Sequence, residues 1–249
     1  ALVFWRGGGV LPALAVNTLT SAGQVAAAWG VWRRWFYAGD IAARPVASLQ
    51  ITVLLKRAWP FAVAAVLAAL QLRLNTVLLE RLAATAEVGY YAAAARFLEA
   101  GRVAPNALFG ALLPAFMVLA RHPVELERLY RRVMLGLGVF GAALGALFTL
   151  FGAAVLRLTY GAAFDPAVPS LYIVMWSLLT GLLRGGLTLR CFAVGQEWHA
   201  NRVNVVVLGL QSVLGLALMP RYGAAGAAAA ALLADVAALA LLVITGRSR

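Results

Sequence analysis

Long apolar runs, interrupted by short clusters of charged and turn residues, set the pattern of this chain. A helix needs about 20 apolar residues to cross the ~30 Å hydrocarbon core of a bilayer. Seven runs of that kind can be marked: 9–32, 58–79, 88–119, 133–156, 167–194, 203–219 and 224–245. The third is too long for one straight span. At ~1.5 Å per residue it reaches about 48 Å, so it must tilt, kink or extend past the bilayer. Pro105 and Pro114 are its natural kink points. The pattern predicts an all-α, polytopic transmembrane helix bundle of about seven spans.

Composition agrees: 63% of the residues are hydrophobic, 12% are charged, and the mean hydropathy is +0.88. A soluble domain of this size is excluded. The single cysteine, Cys191, excludes an internal disulfide. A net charge of +12 raises the question of nucleic acid, but in a membrane chain a surplus of arginine in cytoplasmic loops comes first. With seven spans, twelve basic residues fall on one side, among them Arg33, Arg34, Arg44, Lys56, Arg57, Arg121, Arg128, Arg131, Arg132, Arg202, Arg247 and Arg249. Four, Arg6, Arg81, Arg157 and Arg221, fall on the other. That bias makes the C-terminus cytoplasmic and the N-terminus outward, with no nucleic-acid partner. An outward N-terminus starting at Ala1, with no signal-peptide pattern, leads us to expect further helices upstream. The outward loops 80–87, 157–166 and 220–223 are short. The long cytoplasmic segment 33–57 carries Trp35, Phe36 and Tyr37 beside its arginines, as an interfacial anchor or a plain connector would. The pairs Gly141/Gly145 and Gly181/Gly185 have the spacing of close helix packing, with a hinge as the other reading.

Enzyme signatures are missing. Neither His122 nor His199 has the second ligand at the spacing that a metal site calls for, no glycine-rich phosphate loop is present, and Asp40, Asp165 and Glu197 read as isolated loop charges or helix caps. No catalytic residue, metal or cofactor is expected. What remains is a set of polar residues within the spans: Arg73 and Asn75 on the second, Arg96, Glu99, Arg102 and Asn106 on the third, Arg184 and Arg190 on the fifth, Gln211 on the sixth and Asp235 on the seventh. A charge held in hydrocarbon costs on the order of 3 kcal/mol, so such residues face an interior or a water-filled cavity. Arg73 and Arg96 lie at similar depth, about 10–12 Å from the outer ends of their helices, and would ring one cavity. Arg102 and Arg184 lie deeper, and Arg190 is close enough to the cytoplasm to snorkel. Glu99 is within reach of both Arg96 and Arg102. Two readings stand. The arginines are paired or snorkelled, or they line a cavity that attracts an anion, because Glu99 and Asp235 are too few acids for four guanidiniums. A guanidinium's planar fork suits phosphate.

The segment 54–116 resembles the flippases of lipid-linked polysaccharide units, within the multidrug/oligosaccharidyl-lipid/polysaccharide exporter superfamily. The pieces that carry the likeness are Lys56-Arg57-Ala58-Trp59-Pro60-Phe61, the intramembrane Arg73-Leu74-Asn75, the run Val88-Gly89-Tyr90-Tyr91-Ala92-Ala93-Ala94 leading to Arg96, and Leu113-Pro114. The stretch 219–235, with its Pro-x-Tyr-Gly turn, looks like the family's last helix pair. The likeness spans roughly residues 50–245. The family often has an aspartate where this chain has Asn75, which removes a countercharge from beside Arg73. The resemblance implies two six-helix bundles around a central cavity. Residues 1–32 would be the last helix of the first bundle, 33–57 a cytoplasmic connector and 58–249 the second bundle, with the rest of the first bundle as a missing partner.

The resemblance implies a flippase, not an enzyme, in a bacterial inner membrane. It would move isoprenoid-diphosphate-linked oligosaccharide units for cell-surface polysaccharide, such as lipopolysaccharide. The substrate-binding residues are expected to be Arg73, Asn75, Arg96, Glu99, Arg102 and Arg184, with the anionic lipid-linked oligosaccharide and membrane lipid as partners. Alternatives are an ion-coupled multidrug exporter of the same superfamily, which would call for an acidic cavity, and a non-transporting scaffold or truncated fragment.

Overall fold

The structure, a computed structural model, describes residues 10–36 and 48–246. Arg6, Tyr37, Asp40, Arg44, Arg247 and Arg249 lie outside the described residues, as do the side chains of Trp35, Phe36 and Arg57, so the expected anchor lies there too.

Every long element among the described residues is a helix: α1 (Val10–Phe36), α2 (Ser48–Leu82), α3 (Thr85–Leu119), α4 (Pro123–Tyr160), a short 3-10 turn (Ala162–Ala167), α5 (Val168–Ala193) and α6 (Glu197–Gly246). Five stretches are long and apolar enough to cross a membrane: Ala58–Leu82, Thr85–Leu119, Pro123–Tyr160, Ala162–Ala193 and Glu197–Ile244. The architecture is an all-α, multi-pass membrane bundle. Two compact units are distinguishable, Ala1–Leu55 and Lys56–Arg249. In the first, α1 carries exposed apolar side chains, including Leu19, Val25 and Trp29.

In the second unit α5 is the central helix and packs against α3, α4 and α6. It buries Leu171, Val174, Met175, Leu178 and Leu182, the 3.6-residue periodicity of a helix turned to one core. α4 approaches it closely because Gly141 has no side chain. A Cβ there would stand 2.8 Å from the Leu179 Cα, so any larger residue would push the two backbones apart. α3 stays helical through Pro105 and Pro114.

α2 turns inward the stripe Leu67, Gln71, Asn75 and Leu79, four residues apart. Much of its attachment to α6 is polar. Asn201 Nδ2 donates to the Pro60 carbonyl at 2.8 Å, Gln71 Nε2 to the Asn204 carbonyl at 3.4 Å, and Gln211 Nε2 to Asn75 Oδ1 at 2.9 Å.

The sixth and seventh runs both lie in α6. Helical geometry continues through Pro220 and breaks at Gly223, with φ 52° and ψ −129°. The arm that follows begins with backbone N–H groups that have no partner within the helix. Glu87 of α3 meets one of them: the Ala224 N–H donates to its Oε2 at 2.7 Å. The carboxylate also sits against the positive end of the helix dipole. A Cβ at Gly223 would collide with that same carboxylate. Gly223→Ala combines a left-handed φ with this collision. We expect it to cost about 1–3 kcal/mol, read as a lower melting temperature of the purified protein in detergent.

Candidate functional site

Arg184 of α5 points into the second unit and is held on three sides. Its Nε lies 3.1 Å from Asp235 Oδ1. Its Nη1 donates to Gln71 Oε1 and to Asn204 Oδ1, both at 3.2 Å. The Arg184 and Asp235 side chains are only 19% and 11% exposed. Arg102 of α3 lies within electrostatic range of the same carboxylate and of Arg184. Gly181 makes room for it: a Cβ there would stand 3.1 Å from Arg102 Nη2 and 3.6 Å from Asp235 Oδ2. Among the described residues the Arg102 guanidinium has no hydrogen bond and no ion pair. Two cations thus converge on one carboxylate, and one of them has its donors free.

These groups separate two spaces. On one side is a polar chamber of about 140 Å³, which Asn75, Tyr91, Ser177, Gln211 and Asp235 help to line. On the other is an open groove of about 650 Å³ between α2, α3 and α5, with Phe61, Asn106, Phe109 and Phe192 on its walls. Gln71, Leu72, Arg102 and Arg184 border both. The groove has the size of small-molecule sites, which run about 300–1,000 Å³, and combines apolar walls with a few convergent polar groups.

Of the residues expected at the site, the structure brings Arg102 and Arg184 together and places Asn75 in the chamber behind them. Asn75 is fully engaged. Its Nδ2 donates to the Tyr91 hydroxyl at 2.9 Å and to the Ala227 carbonyl at 3.1 Å, while its Oδ1 accepts from Gln211. Arg73 is exposed. It is two residues from Asn75, about 200° around the helix at 3.6 residues per turn, and so faces away from the chamber. Arg96 is 72% exposed and pairs with Glu99 at 2.9 Å. Glu99 therefore serves Arg96 and makes no ion pair with Arg102. Neither Arg73 nor Arg96 lines the chamber or the groove.

Asp235, Gln71, Asn204, Tyr91 and Gln211 belong to the cluster but were not among the expected site residues. Gln71 had a signal in its four-residue spacing from Asn75; Asn204 had none. Asp165, expected to be an isolated charge, takes a bidentate grip from Arg157 at 2.7 and 2.8 Å. Arg190 reaches Glu127 at 3.1 Å and lies 4.7 Å over the Tyr130 ring. Among the described residues no group of histidine, cysteine or carboxylate side chains is placed to hold a metal ion.

A family model described as polysaccharide biosynthesis protein matches residues 1–119, just under half of the chain. The match ends where α3 ends and includes Asn75 and Arg102, but not Arg184 or Asp235. It likens this part of the chain to polysaccharide biosynthesis proteins. No curated protein matches the chain, and no solved structure does.

Two outcomes follow from the geometry. Asn75→Asp removes both donors and sets a carboxylate against the Ala227 carbonyl, so it should lower stability by about 1–3 kcal/mol or more. Asp235→Asn leaves two cations without their carboxylate. It should cost about 3–5 kcal/mol, and adding Arg102→Gln should recover part of that loss. Thermal melting in detergent checks both.

Proposed function

We propose that this chain is part of a flippase for isoprenoid-diphosphate-linked oligosaccharides, working in the cytoplasmic membrane with its C-terminus on the cytoplasmic side. The family match supports a polysaccharide-related membrane transporter. The observation that carries the finer reading is the Arg102 guanidinium, half-buried beside the groove with no hydrogen bond or ion pair among the described residues, while Arg184 next to it is held through its Nε and Nη1.

A diphosphate reaching the groove would meet Arg102 first. Its fork would donate a charge-assisted pair of hydrogen bonds. Asp235 would then attract Arg184 alone, and the excess positive charge would be neutralised by the visiting anion. The sugar would lie in the groove, and the isoprenoid tail would stay in lipid. Asn75 serves to hold α2 in place. Arg73 and Arg96, on the exposed side, would act on the approach of the anion through their charge rather than by direct grip. Movement across the membrane needs two bundles rocking against each other, so the proposal includes a second helix bundle of the same protein facing the groove. No bond is made or broken in the substrate.

The test is transport of a fluorescent isoprenyl-diphosphate sugar in proteoliposomes of the full-length protein. Arg102→Gln removes one charge-assisted contact, about 1.5–3 kcal/mol, and should slow transport roughly ten-fold or more with the melting temperature preserved. Arg102→Lys should fall between the two. The double change Arg73→Ala and Arg96→Ala should have the smaller effect. Full transport by a folded Arg102→Gln protein would falsify this assignment.

A further inference from the structure

The outward face of α4 carries a second basic site, separate from the groove. The helix turns Leu126, Val133 and Leu137 toward the protein. On its opposite side Val124, Arg128, Arg131 and Leu135 follow at helical spacing, with Arg132 and Val139 beside them. Arg128, Arg131 and Arg132 are all exposed, and none of them has an ion pair or a side-chain hydrogen bond among the described residues. The acid nearest to them in the sequence, Glu127, is taken by Arg190 of α5, which leaves Glu125 as the other carboxylate of that first turn. An open pocket at this end is lined by Pro123, Val124, Glu127 and the three arginines. Directly along the same face the helix becomes apolar, with Leu135 70% and Val139 63% exposed.

We propose that this end of α4 binds the headgroup phosphate of an anionic phospholipid, with an acyl chain lying along Leu135 and Val139. The charge is complementary and unsatisfied, and the guanidinium fork matches a phosphodiester. The order of the groups matters more. Arginines at the end of a membrane-spanning helix stand at headgroup level, and an exposed apolar stripe runs from them into the hydrocarbon. A free phosphate would use only the first half of this surface; a phospholipid uses both. The site is independent of the transport proposal, since none of its residues lines the groove.

Native mass spectrometry of the purified protein with phosphatidylglycerol and with phosphatidylcholine tests this. Phosphatidylglycerol should be retained in preference. The triple variant Arg128→Gln, Arg131→Gln, Arg132→Gln should weaken that retention about ten-fold or more. A control with Arg81→Gln and Arg221→Gln, at the other end of the bundle, should leave it unchanged. Leu135→Asn, which keeps every arginine, should weaken it by a smaller factor and covers the case in which the triple variant does not fold. Equal retention of the two lipids, or of phosphatidylglycerol by the triple variant, would overturn the proposal. So would an unchanged Leu135→Asn protein, an equal loss in the control, or displacement of the lipid by millimolar inorganic phosphate.

Discussion

Asp235 is the carboxylate on which the interior of the second unit depends. In a bundle that crosses lipid, a buried charge has no water to fall back on, and its partners must come from neighbouring helices. Asp235 on α6 meets Arg184 of α5 directly and holds Arg102 of α3 within its field. Three helices are tied electrostatically at one place, and the amide side chains Gln71 and Asn204 bring in α2 and complete the contact with Arg184. One carboxylate does not balance two guanidiniums. The residual positive charge sits on the wall that the chamber and the groove share, which makes the structural tie a candidate for anion binding as well.

The amide ladder between α2 and α6 follows from the same constraint. Apolar side chains gain little from facing each other rather than lipid, so helix association relies on close packing and on interhelical hydrogen bonds. α4 and α5 use close packing, through Gly141 against the Leu179 backbone. α2 adds hydrogen bonds, through Gln71, Asn75 and the Pro60 carbonyl. Asn75 explains why a neutral amide suits this position: it has to donate twice and accept once, and a carboxylate can only accept.

The ends of the bundle are organised by charge that water can reach. Glu87 caps the second arm of α6, Arg157 grips Asp165 beside the 3-10 turn, and Arg190 joins Glu127. Among the described residues the arginines of the outward face of α4 have no such partner, and an apolar stripe continues from them along the helix. One helix thus presents a packing face to the protein and a lipid-facing side whose polarity changes along its length.

Hydrophobic run length determined the class and the approximate span positions without any structure, because crossing a bilayer demands about 20 apolar residues however they pack. The break at the sixth and seventh runs was legible in the Pro-x-Tyr-Gly turn, although helical geometry persists to Gly223. The intramembrane polar residues were legible too, but not their directions. Depth along a helix can be counted from the sequence, and it grouped Arg73 with Arg96. Direction depends on which stripe of the helix is buried. Here that stripe is Leu67, Gln71, Asn75 and Leu79 on α2, which turns Arg73 outward. The convergence of Arg102, Arg184 and Asp235 joins residues of α3, α5 and α6, far apart in the chain. Only the packing of those helices decides it, because a sequence fixes which charges must be compensated and the tertiary structure decides which of them meet.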